Sequence, residues 1–464
     1  MDGIEGWAVE QFGSVELGDK RRRQRAVDMA QAMGRRPGDS LAKQMAGWNE
    51  QRGAYRLLDN AGVSHAALSE PHWQQTREKA NQSGGVVLMV QDITELDYSG
   101  HQATEGLGPI GDHRGQGLMV HNTVAIEPTE RIVLGLAYQQ VWSRDEVAHK
   151  GTESRTQRRA RANRQSQRWV KAVEVIGAPL AGGRWVHVGD RAIDIFPFFE
   201  ECKTAHVDFC VRIKQNRRVG EWTTDDPRYL LDQARQLPAM GERRLAVPAK
   251  PGQAARSADL LVSWQAVTVR SPATEPGEPT LLNAWVVRTW EPNPPPGSVP
   301  LEWLLLTSVP VLTLQDALER IDWYCCRWIV EEYHSSLKTG CAIEKSQLYH
   351  ALRLQRLLAF LSIVAVRLLQ LRDLSRTTPH LLARQAVQPV LVQIIAYRTH
   401  TDPNTLTLAH FWREVAAIGG FPGRTSDGQP GWKRLWHGWL RLLDWAEGVH
   451  FARHLPPLQD VGNP

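Results

Sequence analysis

Three acidic residues stand where this sequence could do chemistry. Asp92 closes the apolar run GGVVLMVQD and Asp190 closes GRWVHVGD. Each run reads as a buried strand whose last residue emerges at a sheet edge. Glu331 lies in LQDALERIDWYCCRWIVEEYHSSLKT, a helical segment opened by Thr313-x-x-Asp316, which resembles a capping box, and stopped by Gly340. With Tyr324 at zero and about 100° per residue, Arg327 falls at about 300°, Glu331 at about 340°, His334 at about 280° and Lys338 at about 320°. These five share a stripe about 80° wide, and Glu332 falls at about 80°, on a different face. A stripe of this kind reads as a solvated helix face, or as a site that binds both a metal and a phosphate chain. Two metal ions about 3.5–4 Å apart clamp an in-line phosphoryl displacement and need a small cluster of hard carboxylate ligands. Taken singly, a strand-end Asp is more often a turn or cap residue. The argument rests on the three together.

The surrounding elements must bring these residues together. Residues 1–75 read as helical and basic. Lys20, Arg21, Arg22, Arg23 and Arg25 open one helix, Arg35 and Arg36 sit in the turn before Pro37, and a second helical segment runs from about Ser40 through Tyr55. Such a cluster is a solvated face or, with the turn basics and Tyr55, a DNA-contacting one. Further strands are expected at Asn122–Ile126, Ile132–Tyr138 and Val207–Lys214. Between residues 150 and 171, eight Lys and Arg face only Glu153. From about 217 to 310, short strands separated by Pro- and Gly-rich turns read as a β-rich insertion. After 311 the chain reads as helical almost to its end.

Composition bounds the class. The 464 residues suggest roughly three domains. Charged residues at 23 % and hydrophobic ones at 42 % exclude a mainly disordered, collagen-like or disulfide-scaffold chain. The net charge of +5 permits nucleic acid as a partner without establishing it. Five irregularly spaced cysteines fit neither a zinc pattern nor a secreted disulfide framework, and reduced thiols are expected. MDGIEGWAVEQFG does not read as a signal peptide. Leu357–Val366 is the longest apolar stretch and is too short to span a bilayer. A soluble, cytoplasmic protein with no membrane partner is the expectation.

The spaced set Tyr324-x2-Arg327-x3-Glu331-x6-Lys338 resembles the Y-R-E-K signature of the bacterial cut-and-paste DDE transposases of the insertion-sequence-four family. RWIVEEYHSSLKTG followed by FLSIVAVRLLQLRD resembles its surroundings. QDITELDY around Asp92 and GDRAIDIF around Asp190 resemble the motifs of the two catalytic Asp residues. LGDKRRRQR and GAYRLLDN resemble the family's N-terminal DNA-binding domain, and IGGFPGRTSDGQPGWKRLWHGW its C-terminal region. The resemblance covers nearly the whole chain in order. The sequence departs from the family at Ala192, where a Glu often follows the second Asp, although Asp194 keeps the later acid; Ser335 and Gln165 also differ.

The resemblance implies an α/β fold: a ribonuclease H-like catalytic core with a β-rich insertion, flanked by helical domains. The expected division is a DNA-binding domain at 1–75, the core at 76–372 and a C-terminal dimerisation domain at 373–464. Asp92, Asp190 and Glu331 would be catalytic and would bind two divalent ions per active site, normally Mg²⁺, with Mn²⁺ possible. Tyr324, Arg327, His334, Lys338, Arg191 and Arg212 would contact DNA phosphates in the core. Trp303 would stack on a base flipped from the duplex. Lys20, Arg22, Arg23, Arg25, Arg35 and Tyr55 would contact DNA in the N-terminal domain. The implied activity is nicking at transposon ends, hairpin formation and opening, then strand transfer into target DNA. The implied partners are double-stranded DNA, as terminal inverted repeats and target, and a second copy in a DNA-bound homodimer. Trp432, Trp436 and Trp439 at helical spacing, with Trp445, read as a helical core or as interface anchors. A hydrolytic nuclease on the same fold and a non-catalytic DNA-binding regulator are the alternatives.

Overall fold

The computed structural model describes residues 4–112, 114–145, 165–180, 182–221, 228–247, 255–273, 279–424 and 427–454. Most of the basic segment expected at 150–171 lies outside them; only Arg168 and Lys171 fall within. The chain forms two compact units: Trp73–Glu95 with Met119–Glu331, and Met1–His72 with Leu96–Leu118 and Glu332–Pro464.

The first of these holds the sheet. In chain order the strands are β1 (Val86–Asp97), β2 (Gly108–Ile110), β3 (Gly115–Glu127), β4 (Ile132–Trp142), β5 (Arg184–Gly189), β6 (Asp208–Arg212), β7 (Arg218–Val219), β8 (Arg228–Tyr229), β9 (Gly241–Val247), β10 (Arg256–Arg270), β11 (Leu281–Trp290) and β12 (Glu302–Thr307), and β2 belongs to the other unit. From β3 the order runs β3-β1-β5-β6-β12-β11-β10-β7-β8, with β4 beside β3 and β9 beside β10. Strands β1, β5 and β6 pair in parallel, and β10, β11 and β12 pair antiparallel. Helices Gln165–Ile176 and Phe196–Thr204 bury Trp169, Phe196, Phe198 and Phe199 in a core shared with Val87, Met89, Trp185 and Phe209. A mixed sheet with packed helices makes this an α/β unit.

Two sequence expectations change in this unit. The first strand does not end at Asp92; β1 continues to Asp97. Asp92 is half-buried, and its parallel neighbour β5 stops at Gly189. The 217–310 region is not built from short strands alone, since β10 has 15 residues and β11 has 10. Neither strand contains an internal Gly or Pro, so nothing in their sequences interrupts pairing. Strand β12 pairs with β6, so this region extends the same sheet.

The other unit is largely helical. Asp19 caps the helix Lys20–Arg35, its side chain accepting from Arg21 N at 2.7 Å. Ala26, Met29, Ala30 and Met33 form the buried face of that helix, the i, i+3, i+4 and i+7 spacing of an amphipathic segment. The helix Ala351–Thr377 supplies Phe360, which stacks on Phe12 with centroids 4.9 Å apart. Its stretch Ala351–Leu374 is long and apolar enough to cross a membrane, beyond the ten residues singled out from sequence. Within it, 72 % of the most apolar window is buried in protein, as in a core helix. Toward the C-terminus, Trp439 stacks on Trp412 at 5.2 Å and Trp436 is buried, so these two indoles are core. Trp445 and Phe451 stay exposed.

Candidate active site

The segment carrying Glu331 starts as expected. Thr313 and Asp316 form a reciprocal capping box. It is not one continuous helix, however. A helix over Leu314–Cys326 gives way at Arg327, a second runs Trp328–Ser335, and Ser336–Gly340 winds as a π turn. The wider i→i+5 turn takes up one more residue per hydrogen bond, so Lys338 leaves the register of the expected stripe. Nor is the stripe solvated throughout. Tyr324 and His334 are each 6 % exposed.

Asp92 and Glu331 come together. Their carboxylate oxygens lie within 4.8 Å of each other. Arg327 reaches both acids, its Nη1 standing 3.2 Å from Glu331 Oε1 and 3.5 Å from Asp92 Oδ2. The strand register brings up the third acid. Val86 pairs with Arg184, Leu88 with Val186 and Val90 with Val188, so the same offset carries Asp92 to the level of Asp190. Alternation along both strands gives the two acids one face of the sheet. Gly189, just before Asp190, has no room for a side chain, because a Cβ there would lie 2.6 Å from Ile193 Cγ2. That close packing folds the chain back at Asp190, whose Oδ1 accepts from Ala192 N at 2.8 Å.

The electrostatics follow from this crowding. Burial pushes the Asp92 carboxyl up to about 7; the charges of Glu331 and Asp190 add to the rise, while Arg327 and the Ile93 backbone N–H oppose it. A carboxyl raised in this way by burial and neighbouring charge is relieved by added positive charge. The Asp92 and Glu331 oxygens, within 4.8 Å of each other, fit a divalent cation such as Mg²⁺ or Mn²⁺. Nearby acids have other tasks. Asp194 is 1 % exposed; it accepts from Lys214 N at 2.7 Å and Gln215 N at 2.8 Å, and pairs with the buried Arg217. It is a fastening for the chain after β6. Glu332 pairs with Arg372. Lys338 pairs with Glu344 at 3.4 Å.

The remaining residues singled out from sequence fall into distinct surroundings. Trp303 is half-buried and packs edge-on to Tyr324 with centroids 5.4 Å apart. Arg191 is exposed beside Asp190. Arg212 donates from Nη2 to the Glu302 carbonyl at 2.9 Å. In the helical unit Lys20 is exposed, Arg23 and Tyr55 are half-buried, and Arg22 donates to the Leu17 carbonyl at 3.0 Å. Arg25 lies across Gly53, and Arg35 pairs with Glu5 at 2.8 Å. Sequence reading missed Trp328. Its indole is 61 % exposed, next to Arg327 and three residues before Glu331. An aromatic so open within an otherwise apolar run is visible only once the helix break is known.

Two family models match the chain. Residues 4–63 match the Transposase DNA-binding family. Residues 147–367 match the Transposase DDE domain, a span that contains Asp190 and Glu331 and begins after Asp92. An N-terminal helical DNA-binding domain thus precedes a domain that carries out metal-dependent phosphoryl transfer on DNA, and the chain is a DDE transposase.

Proposed function

We propose that this transposase moves DNA by cut and paste, as a member of the insertion-sequence-four family, with Asp92, Asp190 and Glu331 as its catalytic carboxylates. The observation that carries the assignment is the convergence of Asp92 and Glu331 around Arg327, with Asp190 at the level of Asp92. The proposed core is ribonuclease H-like, and the parallel β1-β5-β6 arrangement supports that reading. The proposed division is DNA binding at 1–75, catalysis at 76–372 and dimerisation at 373–464.

Asp92, Asp190 and Glu331 would hold two divalent cations, normally Mg²⁺, which would supply positive charge where the phosphoryl transition state gains negative charge. The protein's own groups do the rest. Arg327, freed from the acids, offers a planar fork to a phosphate. Arg191 and Arg212 extend the positive lining, Lys338 is a further phosphate contact by its place in the Tyr324-to-Lys338 spacing, and Tyr324 seats Trp303 edge-on so that its indole is held for a base displaced from the duplex. The exposed Trp328 offers a second aromatic surface beside Glu331. Lys20, Arg22, Arg23, Arg25, Arg35 and Tyr55 position the inverted repeat, phosphate contacts setting register and a few side chains reading base edges. Two copies pair on two transposon ends, with Trp445 and Phe451 as exposed anchors. The setting is the cytoplasm, on the nucleoid.

The test is incubation of the purified protein with Mg²⁺, the DNA flanking its own coding region and a circular target plasmid, read on denaturing gels. Hairpin ends and joined plasmid are expected. Nicks without joining would mean a hydrolytic nuclease, and binding without cleavage a regulator; either overturns the proposal.

A further inference from the structure

The side chain immediately before Asp92 points away from the acids and is sealed in the sheet. Gln91 is 1 % exposed, and its amide lies between two fully buried imidazoles. Nε2 of His121, on β3, is 3.0 Å from Gln91 Oε1. Nδ1 of His187, on β5, is 2.6 Å from Gln91 Nε2. An amide oxygen only accepts and an amide nitrogen only donates. His121 therefore donates to Gln91, and Gln91 donates to His187. Burial keeps His187 neutral, pushing its pKa down to about 3. His121 packs edge-on to Trp169 at 4.8 Å, and His187 edge-on to Phe198 at 6.3 Å.

Three polar groups in an apolar interior are costly unless matched to one another. None of them can touch substrate. Their use lies in where they sit. Val86–Val90 and Trp185–Val188 are almost uniformly apolar, and all but Val86 of these residues are buried. Strands of this kind specify their register weakly, because a slip of two residues still buries apolar side chains. The same slip would break the His121–Gln91–His187 chain and leave buried polar groups unmatched. The register at stake is the one that sets Asp92 level with Asp190.

We propose that the His121–Gln91–His187 chain is a positioning device that locks β1 to β5 and thereby fixes the separation of Asp92 and Asp190 for divalent-cation binding. The proposal rests on the reading of Asp92 and Asp190 as cation ligands.

The test uses full-length protein without DNA and follows Mn²⁺ binding by electron paramagnetic resonance, alongside thermal denaturation. Gln91→Met combined with His121→Phe and His187→Phe removes all three polar groups together, which spares the fold an unmatched partner. His187→Asn keeps an acceptor near the place of Nδ1. Asp92→Ala reports on the cation site itself. The triple variant should keep its melting temperature yet bind Mn²⁺ at least about tenfold more weakly, while His187→Asn stays within about twofold of the parent. His187→Leu is read in the same way and decides the matter if the triple variant does not fold. Parent-like Mn²⁺ binding by the leucine or triple variant, with binding lost in Asp92→Ala, overturns the positioning role and leaves the cation site standing. The same holds if His187→Asn binds as weakly as they do. Parent-like binding by Asp92→Ala overturns the cation site, and the proposal with it.

Discussion

The Arg327 guanidinium stands 3.5 Å from the Asp92 carboxylate, and the same nitrogen is 3.2 Å from Glu331. One cation thus serves two acids of a crowded group. It does not fully offset burial, because the Asp92 carboxyl is still pushed up to about 7. A site held in this condition gains from any further positive charge, whether metal ion or proton.

The proton's effect on stability has a definite sign. Asp92 titrates at about 7 in the folded chain against an ordinary 3.8, so the folded state holds its proton more tightly. The stability this contributes is complete below about 3.8 and is lost as pH climbs through about 7. In metal-free buffer, Asp92→Asn should melt a few degrees above the parent at pH 8, and at nearly the parent's temperature at pH 4. Thermal denaturation in chelator at the two pH values checks this; an equal difference at both would contradict it.

Asp194 should behave as a fastening. Asp194→Ala strands the buried Arg217 and should cost about 3–5 kcal/mol in stability. Chemical denaturation reads the loss. Mn²⁺ affinity of the folded fraction should stay within about twofold, because the Asp194 carboxylate is taken up by Lys214 N, Gln215 N and Arg217.

Close helix packing near the C-terminus gives a contrasting pair. A Cβ on Gly438 would lie 1.6 Å from the Val415 carbonyl oxygen, whereas a Cβ on Gly448 would meet nothing within 4 Å. Gly438→Ala forces the helices Leu408–Ile418 and Trp432–His454 apart and should cost about 3 kcal/mol or more. Gly448→Ala should stabilise by about 0.5–1 kcal/mol, since the alanine is the better helix former. Melting temperatures moving in opposite directions would bear out both.

The chemistry of the chain is legible in its sequence to the extent that it is local. The spacing from Tyr324 to Lys338, the apolar runs before Asp92 and Asp190, and the Thr313 cap are all readable over a few residues. What depends on distant partners is not. No Gly or Pro marks the break at Arg327, so a regular 100° wheel overstates the stripe and puts the buried Tyr324 and His334 on a wet face. Asp190 and Asp194 look alike in sequence, yet only the second meets a buried arginine. Gln91, His121 and His187 are single polar residues in apolar strands, and only the register of β1 and β5 aligns them. The tryptophans of the last helix have readable helical spacing, but Trp439 is committed to the core by Trp412, 27 positions upstream.

The choice between two adjacent glutamates tests the account most directly. Glu331 faces Asp92 and Arg327, while Glu332 is held by Arg372. The decisive measurement is Mg²⁺-dependent nicking of transposon-end DNA by Glu331→Ala and Glu332→Ala. Glu331→Ala should lose nicking by a factor of about 10³ or more, and Glu332→Ala should nick at close to the parent rate after correction for its folded fraction. Nicking retained by Glu331→Ala and lost in Glu332→Ala would contradict the site described above.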